Sequence, residues 1–378
     1  MVRHRLLHVA THLLVAIALS GCAHRSKAMP RGAPAAAPAP RPGEVTLRID
    51  YAGAEAMIAA LERDSLPDAA VDSLLEIHGV SMMVDNVVRL VPGVGRADFR
   101  TAIQRFVRTG EVAGEHVAFN LQKARSQREG TRALLTYIRE NEQAVLERTL
   151  AAMAPYTPET GPLHLKAYLM NGGTSTGFVR TTAEGDVFYF NLADAAGDRE
   201  GAMSFIAHEV FHLVQKAALR RVPALAAVAD VESLPLPERT LAAVVHEGTA
   251  DLVSDPERFG GNGAIIAMQR KRFGRDAEPT RVRENFALFD TTFQQAVRGG
   301  IGWREVLDRG FMSDPRFYAL GREMAKEIER RCGAACIRRL LQQRPVEFFL
   351  QYVSLYREHP DIVGRFSRET ERHLSSLR

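Results

Sequence analysis

The sequence predicts an α+β fold, mostly helical, with one small antiparallel or mixed sheet ahead of a buried central helix and with helical N- and C-terminal parts. Three observations carry this expectation. Apolar residues recur at three- and four-residue spacing through much of 54–153 and again from 315 to 377, the period of a helix face. β-Branched and aromatic residues crowd into short runs between 164 and 192, separated by glycine-containing turns. Residues 202–222 contain no Gly or Pro and are apolar nearly all round, as expected of a helix buried on every side.

At the N-terminus, Arg3 and Arg5 precede the apolar run 13–19, which is too short to span a bilayer. Residues 1–21 read as a signal peptide. Leu19-Ser20-Gly21-Cys22 resembles the lipobox of bacterial lipoproteins. That resemblance implies cleavage before Cys22, acylation of this residue, and anchoring in the cell envelope. Ala23 favours the outer membrane, with the protein facing the periplasm. Residues 22–43, punctuated by Pro30, Pro34, Pro38, Pro40 and Pro42, cannot bury a core and form a tether.

The formal charge of +4 falls to +2 once Arg3 and Arg5 leave with the signal peptide, so no nucleic-acid partner is expected. The local cluster of Arg270, Lys271, Arg272, Arg275, Arg281 and Arg283 reads as a solvated helix face. The remaining composition, 46% hydrophobic and 25% charged, is that of a globular protein.

Residues 44–154 are expected to form a helical lobe, with a strand at 45–49 and helices at 54–63, 67–78, 97–108 and 131–153. The lobe carries no chemical constellation and reads as one wall of a cleft. Residues 155–378 form the second region. Strands are expected at 164–170, 178–182 and 187–192, with a loop at 172–177 and a turn at 183–186. The loop lacks the Gly-Lys-Ser/Thr ending of a phosphate-binding loop.

The central helix holds His208-Glu209-Val210-Phe211-His212. Residues four apart share a helix face, so both imidazoles can reach one ion, while Glu209 is offset by about 100° and can sit beside it. Asp198 is placed to cap the helix and Pro223 to stop it. Buried histidines and a buried glutamate are costly unless something satisfies them, and a zinc ion would. The competing reading is a pair of core histidines bonded to carbonyls. A second apolar run holds His246, Glu247 and Asp251, the last two again four apart. Glu247 could be a ligand or a salt-bridged acid, and His246 points about 100° away from it.

Together these motifs resemble the gluzincins, the thermolysin-like branch of the zinc metallopeptidases, and more generally a group of uncharacterised zinc-dependent bacterial peptidases. The resemblance implies a zincin-like fold and one zinc per chain. His208, His212 and Glu247 would be the ligands, Glu209 the general base, and Asp251 the group orienting one histidine. It implies a peptide or protein substrate, paired to the outer strand of the sheet, for which 187–192 is the candidate. A Tyr-x-x-Gly start on a late helix makes Tyr318 a candidate donor to the oxyanion, against the simpler reading of a core tyrosine. The metzincin pattern would need Gly at 215 and His at 218, where this chain has Gln215 and Ala218. A catalytically silent, zinc-binding scaffold lipoprotein is the alternative function. Cys332 and Cys336 could be bridged or free.

Overall fold

The computed structural model describes residues 45–158, 162–182, 185–226, 229, 231–312 and 314–378. The signal peptide, Cys22 and the tether lie outside the described residues. The chain opens with β1 (Val45–Asp50), followed by α1 (Ala52–Leu61), α2 (Asp68–Glu76), α3 (His78–Leu90), α4 (Arg96–Thr109), α5 (Leu121–Ser126), α6 (Arg128–Glu140) and α7 (Glu142–Met153). Three strands come next: β2 (Leu163–Met170), β3 (Gly177–Thr182) and β4 (Gly185–Asn191). The rest is helical: α8 (Arg199–Arg221), α9 (Leu236–Val253), α10 (Pro256–Phe259), α11 (Ala264–Asp276), α12 (Pro279–Val297), α13 (Trp303–Leu307), α14 (Arg316–Cys332), α15 (Ala334–Leu340), α16 (Pro345–Glu358) and α17 (Arg368–Ser376). The α+β, mostly helical expectation holds.

The four strands form one mixed sheet in the order β1-β2-β4-β3. β1 runs parallel to β2 and β2 parallel to β4, while β3 runs antiparallel to β4. The outer strands are therefore β1 and β3. The expectation that 187–192 is the outer strand is corrected: β4 is hydrogen-bonded on both sides. β4 enters between β2 and β3, an order that the succession of strands along the chain does not give. Phe188 and Phe190 face one core and Val187 and Tyr189 the other, so β4 is also covered on both faces.

The same alternation runs through β2. Leu165, Ala167 and Leu169 join a core shared with α8, and Tyr168 and Met170 join a core shared with α2, α3 and α4. The sheet is thus covered on both faces. One expected helix divides in two, and another ends a single residue before a helix that has no counterpart among the expected elements. The expected 67–78 helix is α2, which ends at Ile77; the extended backbone of that residue (φ −73°, ψ 119°) then leads directly into α3. The 131–153 run breaks at Asn141 (φ −121°, ψ 23°), whose backbone N–H and side-chain amide both donate to the Tyr137 carbonyl, at 3.0 and 2.9 Å, and so close α6.

α9 and α14 cross backbone to backbone. A Cβ on Gly248 would lie 2.1 Å from the Gly321 carbonyl carbon, and one on Gly321 would lie 2.2 Å from the Val244 oxygen. Only glycine fits at either position. This accounts for Gly321 in the Tyr-x-x-Gly start of α14. Cys332 and Cys336, at the junction of α14 and α15, are joined by a disulfide. No described helix is long and apolar enough to cross a membrane.

Candidate metal centre

The site is built on α8, α9 and α11, and one carboxylate fixes two of them. Asp198 Oδ1 accepts the Gly201 N–H at 2.8 Å and caps α8, while its Oδ2 accepts the Ile265 N–H at 2.7 Å and caps α11. The helix carrying His208 and His212 is thereby pinned to the helix carrying Arg272.

One turn apart on α8, the His208 and His212 rings stand 4.8 Å apart and nearly perpendicular. Both Nε2 atoms point at one oxygen of Glu247 on α9. His208 Nε2 lies 3.3 Å from Glu247 Oε2 and His212 Nε2 lies 3.5 Å from it. A zinc ion with bonds of about 2.0–2.1 Å has tetrahedral ligand–ligand edges of about 3.3–3.4 Å. The spacing therefore fits the ion. So do the polar atoms left over. His212 Nε2 and Glu209 Oε1 are buried with no hydrogen-bond partner among the described residues, and such atoms are costly unless something else meets them.

The charge of the site is compatible with the ion. Glu209, Glu247 and Asp251 are each no more than 2% exposed, and the Arg272 guanidinium is the cation bound to Asp251. Three carboxylates and one guanidinium leave two negative charges among these groups, which either two protonated imidazoles or, with both rings neutral, a divalent cation cancels. Burial works against the charged form of Glu247, but His212 and His208 outweigh it and hold its carboxyl well below the usual range. Burial pushes the Glu209 carboxyl up, with the two histidines opposing.

Each histidine has its own backing. His208 Nδ1 lies 3.4 Å from Asp251 Oδ1 and 3.4 Å from Ser254 Oγ. Asp251 takes two bonds from Arg272 Nη2, at 2.9 and 2.8 Å. His212 Nδ1 lies 2.9 Å from Gln215 Oε1. The Gln215 amide is oriented by its other end, where Nε2 donates to the His246 carbonyl at 2.9 Å and to Thr249 Oγ1 at 2.7 Å. Thr249 in turn spends its own proton on the Val245 carbonyl. Gln215 can then only accept from His212, which places the imidazole proton on Nδ1 and leaves Nε2 bare for a metal.

The spacing of the sequence motifs brought His208, Glu209, His212, Glu247 and Asp251 to attention, and they do lie together. Two neighbours were missed. Arg272 was read as part of a solvated basic face, but its side chain is 15% exposed and turned inward to Asp251. Gln215 was noted only as a departure from another pattern; a buried amide three residues after His212 was the available signal. His246 contributes its carbonyl, and burial keeps its imidazole neutral, with a pKa of about 4. Tyr318 is buried on α14 and borders a small cavity shared with His208, Asp251 and Arg272. Burial, then the charges of Glu247, Asp251 and Glu209, raises its pKa well above the usual phenol value.

Residues 71–361 match the model of the family described as "Putative zinc dependent peptidase (DUF5700)". The chain belongs to that family. The match takes in both metal-site motifs and α14, and it spans more than half of the chain. A zinc-dependent peptidase family and the zinc-compatible geometry of His208, His212 and Glu247 agree on the cofactor. No curated protein and no solved structure matches the chain.

Proposed function

We propose that this member of the family is a zincin-type peptidase holding one zinc ion per chain through His208, His212 and Glu247, with Glu209 as general base. The observation that carries this reading is the convergence of three ligand atoms beside a buried carboxylate, Glu209, with an unpartnered oxygen. A zinc ion held there would polarise a peptide carbonyl and acidify water. Glu209 takes the proton of the attacking water and returns it to the leaving amine. Gln215 and Asp251 keep the two imidazole protons on Nδ1, so both rings stay aimed at Glu247. Tyr318, held in its protonated form, donates to the negative charge developing on the carbonyl oxygen. β3, the outer strand beside α8, takes the substrate backbone as an added strand.

The same proposal places the protein at the bacterial envelope, held by acylated Cys22 and the proline-rich tether. The disulfide between Cys332 and Cys336 suits an oxidising compartment. The test is casein hydrolysis by the full-length protein in detergent. Glu209→Gln is expected to keep its zinc and lose about 10²–10⁴-fold in turnover. A variant cleaving within a few-fold of the parent would remove Glu209 from the mechanism.

A further inference from the structure

The helix row that carries both histidines continues past the metal centre. His208, His212, Lys216 and Arg220 follow one another at four-residue spacing on α8, so they share one face. The first two meet Glu247, and the last two meet Asp186 near the start of β4. Asp186 lies directly across from Thr181 of β3 in the antiparallel ladder. Its Oδ1 accepts the Thr181 hydroxyl at 2.6 Å and Lys216 Nζ at 2.9 Å, and its Oδ2 accepts Arg220 Nη1. Lys216 Nζ also donates to Thr181 Oγ1 at 2.7 Å. One carboxylate thus ties α8, β3 and β4 together. The Lys216 and Asp186 side chains are only 13% and 9% exposed, so solvent screens the pair little. Burial works against the charge on Asp186, but Thr181, Lys216 and Arg220 outweigh it and hold the carboxyl below its usual range.

β3 is clasped to α8 at its other end too. Gly177 opens the strand, and a Cβ there would stand 2.6 Å from the Phe205 ring and 2.9 Å from the Tyr189 carbonyl oxygen. Phe205 is itself stacked on Phe190 of β4, with ring centroids 5.2 Å apart. From Phe205 to Lys216 the helix rises about 16 Å, and from Gly177 to Thr181 the strand rises about 13 Å. β3 therefore runs along α8, and His208 and His212 lie between the two clasps. The strand order β1-β2-β4-β3 gives β3 one strand neighbour among the described residues. α8 supplies the support that a second strand would give.

We propose that Asp186 is a positioning residue for the substrate: with Lys216 and Arg220 it fixes the outer edge of β3 along the metal-bearing helix, so that a peptide added to that edge arrives with its bond at the metal centre. This rests on the peptidase reading and names what holds its docking strand in place. A peptide added to a sheet edge draws its affinity from main-chain hydrogen bonds, which need an ordered edge. A β3 released at its Thr181 end must be ordered again before it can pair, and that cost falls on binding. Once the peptide is paired, the edge is back in place and the attack by water is unaltered. Loss of the clasp therefore raises KM and leaves kcat, the pattern of lost uniform binding.

The test separates binding from turnover in the full-length protein. Affinity for fluorescently labelled casein is read by anisotropy in the Glu209→Gln background, and KM and kcat are read with Glu209 intact. Asp186→Asn keeps the shape of the side chain and removes its charge. It is expected to weaken binding and raise KM about tenfold. Zinc content should be unchanged and kcat should stay within about threefold. Lys216→Met cuts the same clasp from the helix side and should act alike, so a folding defect in one variant does not decide the matter. Arg220→Met should act less, about two- to threefold, because its side chain is 45% exposed. Asp186→Glu should recover part of the affinity that Asp186→Asn loses. Unchanged binding and KM in both Asp186→Asn and Lys216→Met would overturn the proposal. So would a fall in kcat as large as the rise in KM, or loss of zinc, since either makes Asp186 part of the general scaffold. If casein is bound but never cleaved, weaker binding by Asp186→Asn would keep the positioning role and remove the peptidase reading. Cleavage by the parent, with Asp186→Asn indistinguishable from it, would do the reverse. No binding in the Glu209→Gln background and no cleavage by the parent would remove both.

Discussion

His208 and His212 face the same carboxylate from one helix, yet they are supported by opposite kinds of chemistry. Behind His208 stands a charged string, Asp251 and then Arg272, drawn from α9 and α11. Behind His212 stands a neutral one, Gln215, Thr249 and the His246 carbonyl. Both strings end on Nδ1 and both leave Nε2 for a metal. They differ in what happens when they are cut. A buried ion pair is held by two charges that need each other, so removing one strands the other. A neutral amide sets a tautomer and leaves behind only unmet dipoles.

The comparison can be broken at each link. Asp251→Ala is expected to do the most damage, costing about 3–5 kcal/mol in urea unfolding because Arg272 is left buried without its partner. Zinc affinity should fall about 10–100-fold. Adding Arg272→Leu should return part of the stability and none of the zinc affinity. If the single and double variants are equally unstable, the charged string is not what holds that flank.

Gln215→Leu should cost less, about 1–3 kcal/mol for the unmet His212 Nδ1, with a loss of zinc affinity near the lower end of the same range. A larger destabilisation than Asp251→Ala would reverse the proposed ranking of the two flanks. Ser254→Ala is expected to be the mildest. Its hydroxyl lies 3.4 Å from His208 Nδ1, at the limit of a hydrogen bond, so the change in zinc affinity should be under about threefold.

The same contrast explains what could be read from the chain. Groups whose geometry is local were legible. The four-residue spacings of His208 with His212 and of Glu247 with Asp251 follow from helix geometry alone. So did Asp198 as a cap, although not its second helix, because the Ile265 N–H arrives from 67 residues away. Arg272 was hidden in a basic run, where only the tertiary approach of α9 distinguishes it from its exposed neighbours. The outer strand was misjudged because the order of strands in the chain does not give their order in space; β4 enters between β2 and β3.

The proposed chemistry depends on one ion sitting where His208, His212 and Glu247 meet. The most direct test is zinc content and X-ray absorption on the purified full-length protein and on Glu247→Ala. The proposed centre is expected to hold one zinc per chain, bound by nitrogen and oxygen at about 2.0–2.1 Å, without sulfur, and lost from Glu247→Ala on dialysis. Full zinc retention by Glu247→Ala, or a sulfur ligand in the parent, would contradict the assignment of this centre.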